Sequence, residues 1–244
     1  MNVDKEKCTG CGICYPYCPV GAIGPFESEN DPASEINQDQ CVECGVCLRS
    51  GVCPTDALYM PELRWPRSIR AEFSNPITKH PSGSKGRGTQ EMKTNDVTGR
   101  FRRGMAGIGV ELGRPGVGTT FKDLQTVSMA LARAGVEFEP NNPVSALMED
   151  RKTGKMNEEV LNETVLSAII ECKVEIGRLK EVLETLKAVA KRIETVFSLD
   201  LISRVNEDGS IPAVAIANEA GLPPRPNTKM NLGLGRPLKE EVSG

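Results

Sequence analysis

From Gly104 onward, apolar positions recur with regular periods. Ile108, Val110 and Leu112 alternate with Gly109 and Glu111, which predicts a strand. Phe121, Leu124, Val127, Leu131 and Ala134 fall at helical spacing, with Thr120 and Asp123 as a capping pair and Gly135 as a stop. Val136 to Glu139 reads as a short strand ahead of Pro140 and Pro143. After a polar insert around Asp150–Glu159, Ile170, Cys172, Val174 and Ile176 alternate with Glu171, Lys173 and Glu175 as a half-buried strand. Leu179, Val182, Leu183, Leu186, Val189, Ala190 and Ile193 give the clearest amphipathic helix of the chain. Phe197, Leu199 and Leu201 give a last strand. The order is β-α-β, insert, β-α-β, an α+β pattern over residues 104–205.

Two such halves satisfy a ferredoxin-like βαββαβ sandwich, with an antiparallel sheet and both helices on one face. The segment from Glu111 to Gly118, leading into a helix that ends Ala134-Gly135-Val136-Glu137-Phe138, resembles the first half of an ACT-type regulatory domain. The resemblance covers one βα unit and implies a small effector near Gly113–Gly118 and a dimer interface. A Gly-rich turn at a helix start can present N–H groups to an anion, but Gly113-x2-Gly116-x-Gly118 matches neither the dinucleotide fingerprint nor the phosphate loop, so a plain tight turn is favoured. Cys172, on the apolar side of its strand, reads as a small buried hydrophobe. Residues 206–244 add a short helix between Ile211 and Ala220, then an arm rich in Gly and Pro.

Residues 1–62 are organised by cysteine rather than by period. Eight of the nine cysteines fall there, as Cys8-x2-Cys11-x2-Cys14-x3-Cys18-Pro19 and Cys41-x2-Cys44-x2-Cys47-x5-Cys53-Pro54. Three thiolates at two-residue gaps wrap one cube, and in this motif the fourth, before proline, serves the other cluster. The expected sets are Cys8, Cys11, Cys14 and Cys53 on one [4Fe–4S] cluster, and Cys41, Cys44, Cys47 and Cys18 on the second. Zinc is the competing reading; it usually takes two Cys-x2-Cys pairs around one ion, not two triplets each trailed by Cys-Pro. Clusters that merely staple a segment with too little core are a further one. Pro19-Val20-Gly21-Ala22-Ile23 matches Pro54-Thr55-Asp56-Ala57-Leu58, a visible internal repeat. The segment resembles the bacterial-type dicluster ferredoxins, from which it departs by an insert, Leu48 to Val52, that lengthens the last gap to five.

Charge adds a third region. Residues 1–63 carry ten acidic and three basic side chains, a balance expected to keep cluster potentials low. Residues 64–103 reverse this with ten basic against three acidic, in a Gly- and Pro-rich stretch that reads as an extended connector spanning 63–103. It either lies on the acidic cysteine-rich segment or another acidic neighbour, which is favoured, or binds an anion through Arg87, Lys93, Arg100, Arg102 and Arg103. His80 reads as a surface residue and Trp65 as packing the cysteine-rich segment onto the next domain. The net charge of −3 argues against nucleic acid as a partner. The lack of an 18-residue apolar run argues against a membrane span, and with no secretory leader the chain is expected to be cytoplasmic, where thiols stay reduced.

The function expected is iron–sulfur electron transfer: single low-potential electrons passed to a partner oxidoreductase, in anaerobic metabolism, as a subunit that docks or oligomerises through the second domain. Alternatives are a small reductase holding an anionic substrate near the clusters, and an effector sensor with structural clusters. No Ser/His/Asp arrangement, phosphate loop or flavin fingerprint gives independent catalysis a residue to carry it.

Overall fold

The computed structural model describes residues 1–26, 33–78, 99–114, 116–228 and 230. In the cysteine-rich part, β1 (Asn2–Val3) is followed by β2 (Ile23–Pro25), β3 (Ser34–Ile36), α1 (Val46–Arg49) and β4 (Leu58–Tyr59). Two short antiparallel ribbons result, β1 with β4 and β2 with β3. The internal repeat is a repeat of backbone conformation. Gly10 and Glu43, at matching places in the two cysteine loops, both have left-handed φ, 66° and 54°. Gly21 and Asp56 match in the same way at 65° and 52°. A residue with a Cβ pays roughly 1 kcal/mol or more for that conformation, so the loop shape is imposed by something other than local preference.

The connector does not begin as an extended stretch. Ser68–Ser74 form helix α2, which buries Ile69, Ala71 and Phe73. Ile69 and Phe73 are one helical turn apart and join the core of the second domain, where the Phe73 ring meets Phe121 edge-on at 5.4 Å between centroids. Ser74 Oγ accepts a hydrogen bond from the Leu166 N–H at 2.8 Å. Trp65 is 45% exposed and reaches the second domain by donating Nε1–H to Glu159 Oε2 at 2.8 Å, so a polar contact replaces the expected packing. His80 and residues 79–98 lie outside the described residues.

The second part runs β5 (Met105–Leu112), β6 (Thr119–Thr120), α3 (Phe121–Arg133), β7 (Glu137–Phe138), β8 (Met148–Asp150), β9 (Lys155–Met156), β10 (Thr164–Val165), β11 (Ala168–Glu175), α4 (Leu179–Val189), β12 (Phe197–Ser203) and α5 (Pro212–Glu219). Four strands make one antiparallel sheet in the order β12-β5-β11-β7. Renumbered within the sheet, that order is 4-1-3-2, and the polar insert folds as the β8–β9 hairpin. Side chains alternate across a strand. Ala106, Ile108, Val110 and Leu112 of β5, with Ala168, Ile170, Cys172 and Val174 of β11, share one core with Phe121, Leu124, Val127 and Leu131 of α3 and Leu179, Val182, Leu183 and Leu186 of α4. On the opposite face the ring of Phe101 lies over Gly107, where an added Cβ would meet it at 2.5 Å. Helix α5 falls where the sequence placed it, and the arm after residue 230 lies outside the described residues. Among the described residues no helix is long and apolar enough to cross a membrane.

Candidate metal centre

The cysteine loops bring their thiols together in two groups of four. Cys8, Cys11, Cys14 and Cys53 line one shallow cleft together with Val3, Ile13, Ala57 and Leu58. Cys53 comes from the second repeat, carried there by the return of the chain into β4, which pairs with β1 beside the first loop. The other group is linked electrostatically: Cys44 and Cys47 each feel the charge of Cys41 and Cys18. Cys18 adds to the repulsion at both Cys44 and Cys47, so it lies within electrostatic reach of the second loop. Among the described residues no three metal-ligating side chains converge on a single-ion site. In the first group the four thiols line a common cleft, as an iron–sulfide cube requires.

Hydrogen bonds prepare several of these sulfurs for negative charge. The N–H of Ala22 donates to Cys18 Sγ at 3.1 Å and that of Ala57 to Cys53 Sγ at 3.2 Å, the same contact made once in each repeat. Ser34 N–H donates to Cys8 Sγ at 3.3 Å. Against the desolvation of partial burial, N–H groups of Gly10 and Ser34 hold the Cys8 thiol below its ordinary pKa. Cys53 is lowered likewise, with desolvation overcome by the Ala57 N–H and the Thr55 hydroxyl. Burial pushes Cys47 up to about 11, and the neighbouring Cys44, Cys41 and Cys18 add to this by repulsion. Burial likewise raises Cys14 and Cys44. Four close thiolates raise one another in the absence of metal, and a bound cation removes that repulsion.

The two groups sit in different surroundings. In the first group Cys11 is exposed, Cys8 and Cys53 are half-buried and Cys14 is buried; in the second Cys41, Cys44 and Cys47 are buried and Cys18 is half-buried. The buried loop is held by three arginines. Arg49 Nη1 donates to the Cys44 carbonyl at 2.8 Å and to Asn75 Oδ1 at 2.7 Å. Arg67 Nε donates to Glu43 Oε1 at 2.8 Å, and its Nη1 to the Gln38 carbonyl at 3.0 Å. Arg70 Nη1 donates to the carbonyls of Gln38, Asp39 and Cys41 at 3.0, 3.0 and 2.8 Å. The sequence places this basic stretch on the acidic segment, and Arg67 and Arg70 do lie there; which carbonyls they reach is what charge alone does not give.

The other candidate residues are not gathered into one site. Arg87 and Lys93 lie outside the described residues, and Arg102 and Arg103 are exposed. Arg100 is 16% exposed at its side chain and ion-pairs with Glu139, so its charge is engaged inside the domain. At the Gly113–Gly118 turn three N–H groups are engaged within the protein: Gly113 donates to the Val196 carbonyl, and Val117 and Gly118 to that of Gly113. The first amides of α3 are also engaged, by the carbonyls of Glu163 and Leu161 and by Thr120 Oγ1. The plain-turn reading therefore describes this loop. Cys172 is fully buried, and desolvation pushes its thiol up to about 12.

Comparison with known proteins agrees with the cysteine geometry. The 4Fe-4S dicluster domain family matches residues 7–57. An uncharacterized ferredoxin of Methanocaldococcus jannaschii is 41% identical over 58 residues, 24% of this chain and 73% of its own. The ferredoxin of Methanothermococcus thermolithotrophicus is 36% identical over 64 residues, 25% of this chain and 98% of its own. Pyruvate synthase subunit PorD of Methanothermobacter marburgensis is 38% identical over 58 residues, 24% of this chain and 60% of the subunit. No solved structure matches the chain. Paired cysteine loops, a repeated backbone and ferredoxin relatives matched along most of their length agree, and through its N-terminal quarter the chain belongs to the dicluster 4Fe-4S ferredoxin family.

Proposed function

We propose that this protein passes single low-potential electrons to a partner oxidoreductase, and that its second domain, a ferredoxin-like sandwich, docks it there. In this reading Cys8, Cys11, Cys14 and Cys53 hold one [4Fe–4S] cluster, and Cys41, Cys44, Cys47 and Cys18 hold the other. The clusters supply one-electron chemistry. The polypeptide binds them through eight thiolates, donates N–H bonds to their sulfur ligands, and keeps water from the inner loop. The observation that carries the reading is the crossed grouping of the thiols, with Cys53 lining the cleft of the first loop. Exposure of Cys11 makes the outer centre the one that meets partners, with the centre of the buried loop behind it. PorD is by name a subunit of pyruvate synthase, and likeness to it supports a complex of that kind as the destination of the electrons.

The test is anaerobic iron and sulfide analysis with EPR of the reduced protein. About eight irons per chain with two interacting signals are expected. Four irons, or zinc in their place, would overturn the reading.

A further inference from the structure

The Cys41–Cys47 loop and the second domain share one helix. Through α2, Arg70 and Arg67 reach the loop and the carbonyls just before it, and Asn75 at the helix end takes the Arg49 guanidinium that also holds Cys44. The same helix is rooted in the second domain by Ile69 and Phe73. Arg70 joins the two sides in one side chain: its Nη1 holds the carbonyls of Gln38, Asp39 and Cys41, while its Nε donates to Glu163 of the second domain at 2.5 Å. It is 6% exposed, so both contacts are made away from bulk water, where charge acts over longer range. The Cys8–Cys14 loop has no such arginine among its described hydrogen bonds. Its sulfur-directed donors come from within the module, as with Ser34.

We infer that Arg70 is a positioning residue through which the second domain sets the reduction potential of the inner cluster alone. This rests on the assignment of the clusters made above. Placing an electron on an anionic cluster is favoured by a nearby guanidinium and opposed by a nearby carboxylate. The Arg70–Glu163 pair contributes both signs, one from each domain, at the carbonyl of a cluster ligand. A partner or movement that separates Glu163 from Arg70 leaves the guanidinium less neutralised and makes the inner cluster easier to reduce. The outer cluster keeps its potential. Docking at the second domain is thereby reported to one of the two redox centres.

The experiment is EPR-monitored redox titration of the full chain and of the Arg70→Gln and Glu163→Gln variants. Arg70→Gln should move one of the two midpoints downward. Glu163→Gln, which keeps an acceptor for the Arg70 Nε but removes its charge, should move the same midpoint upward. The second midpoint should stay where it is in both. Loosened packing would move both variants in one direction, so matching signs overturn the inference, as do equal shifts of both midpoints or none. If Arg70→Gln fails to fold, the upward shift in Glu163→Gln carries the test alone. The Cys11→Ser variant, which alters the outer centre, should perturb the unmoved signal; perturbation of the moved one would also overturn the inference. Loss of both signals in the unaltered protein would instead defeat the electron-transfer reading, so the two failures are distinguishable.

Discussion

The N-terminal module and the second domain are held together by opposite means. Among the described residues the module's cluster of buried apolar residues has eight members, three of them cysteines of the metal loops. The second domain, with α2, has a core of twenty-nine among the described residues. In the first region hydrophobic burial is too sparse to fix the loops, and two residues with side chains, Glu43 and Asp56, sit in left-handed conformations. In the second, alternating strands and amphipathic helices bury their faces against one another without help. A fold assembled around a cofactor tolerates irregular backbone because ligation does the work of a core; a fold assembled around a sheet does not need the cofactor at all.

That contrast breaks or sharpens most strongly on removing the iron. Chelation under oxidising conditions is expected to strip amide protection from most of residues 1–60 while β5, β11 and α4 retain theirs, as read by hydrogen exchange. Equal loosening of both regions would mean that the second domain also depends on the clusters. A smaller effect is expected in the reverse direction. Leu183 is fully buried between helix and sheet, and Leu183→Ala should cost about 2–5 kcal/mol in urea unfolding of the second domain, with the iron–sulfur absorption of the folded protein unchanged. The smallest concerns one helix end. Thr120 Oγ1 accepts from the Asp123 N–H at 3.1 Å, and Thr120→Ala should destabilise the second domain by about 1 kcal/mol without altering either cluster signal.

How far the sequence could be read follows the same division. In the second domain, the long strands β5, β11 and β12 and the helices α3 and α4 were legible because each buries one face and so prints a period of 2 or 3.6. The two-residue ribbon of β6 with β10 is too short to print any period. The β8–β9 hairpin was read as a polar insert, since Met148 and Met156 are nearly its whole apolar content. Helix α2 was hidden because Arg64, Arg67 and Arg70 dominate the stretch in which Ile69 and Phe73 mark its buried face. The spacing of the cysteines pointed to paired iron–sulfur loops, and Cys53 lines the cleft of the first loop. The arginines on the inner loop were not, because a hydrogen bond from Arg70 to a carbonyl 29 to 32 residues away leaves no mark on either neighbourhood.

The long reach of Arg70 also has a consequence in time. A chain leaves the ribosome N-terminus first. Once Cys53 has emerged, all four thiols of the outer set exist, and so do the eight cysteines of both sets. The carbonyls around the inner loop must wait until Arg70 is made, and the carboxylate that holds Arg70 from the other side follows 93 residues after it. The donors to Cys8 and Cys53 all come from within residues 1–57, whereas the loop around Cys41–Cys47 acquires its final surroundings only when the second domain has packed on α2.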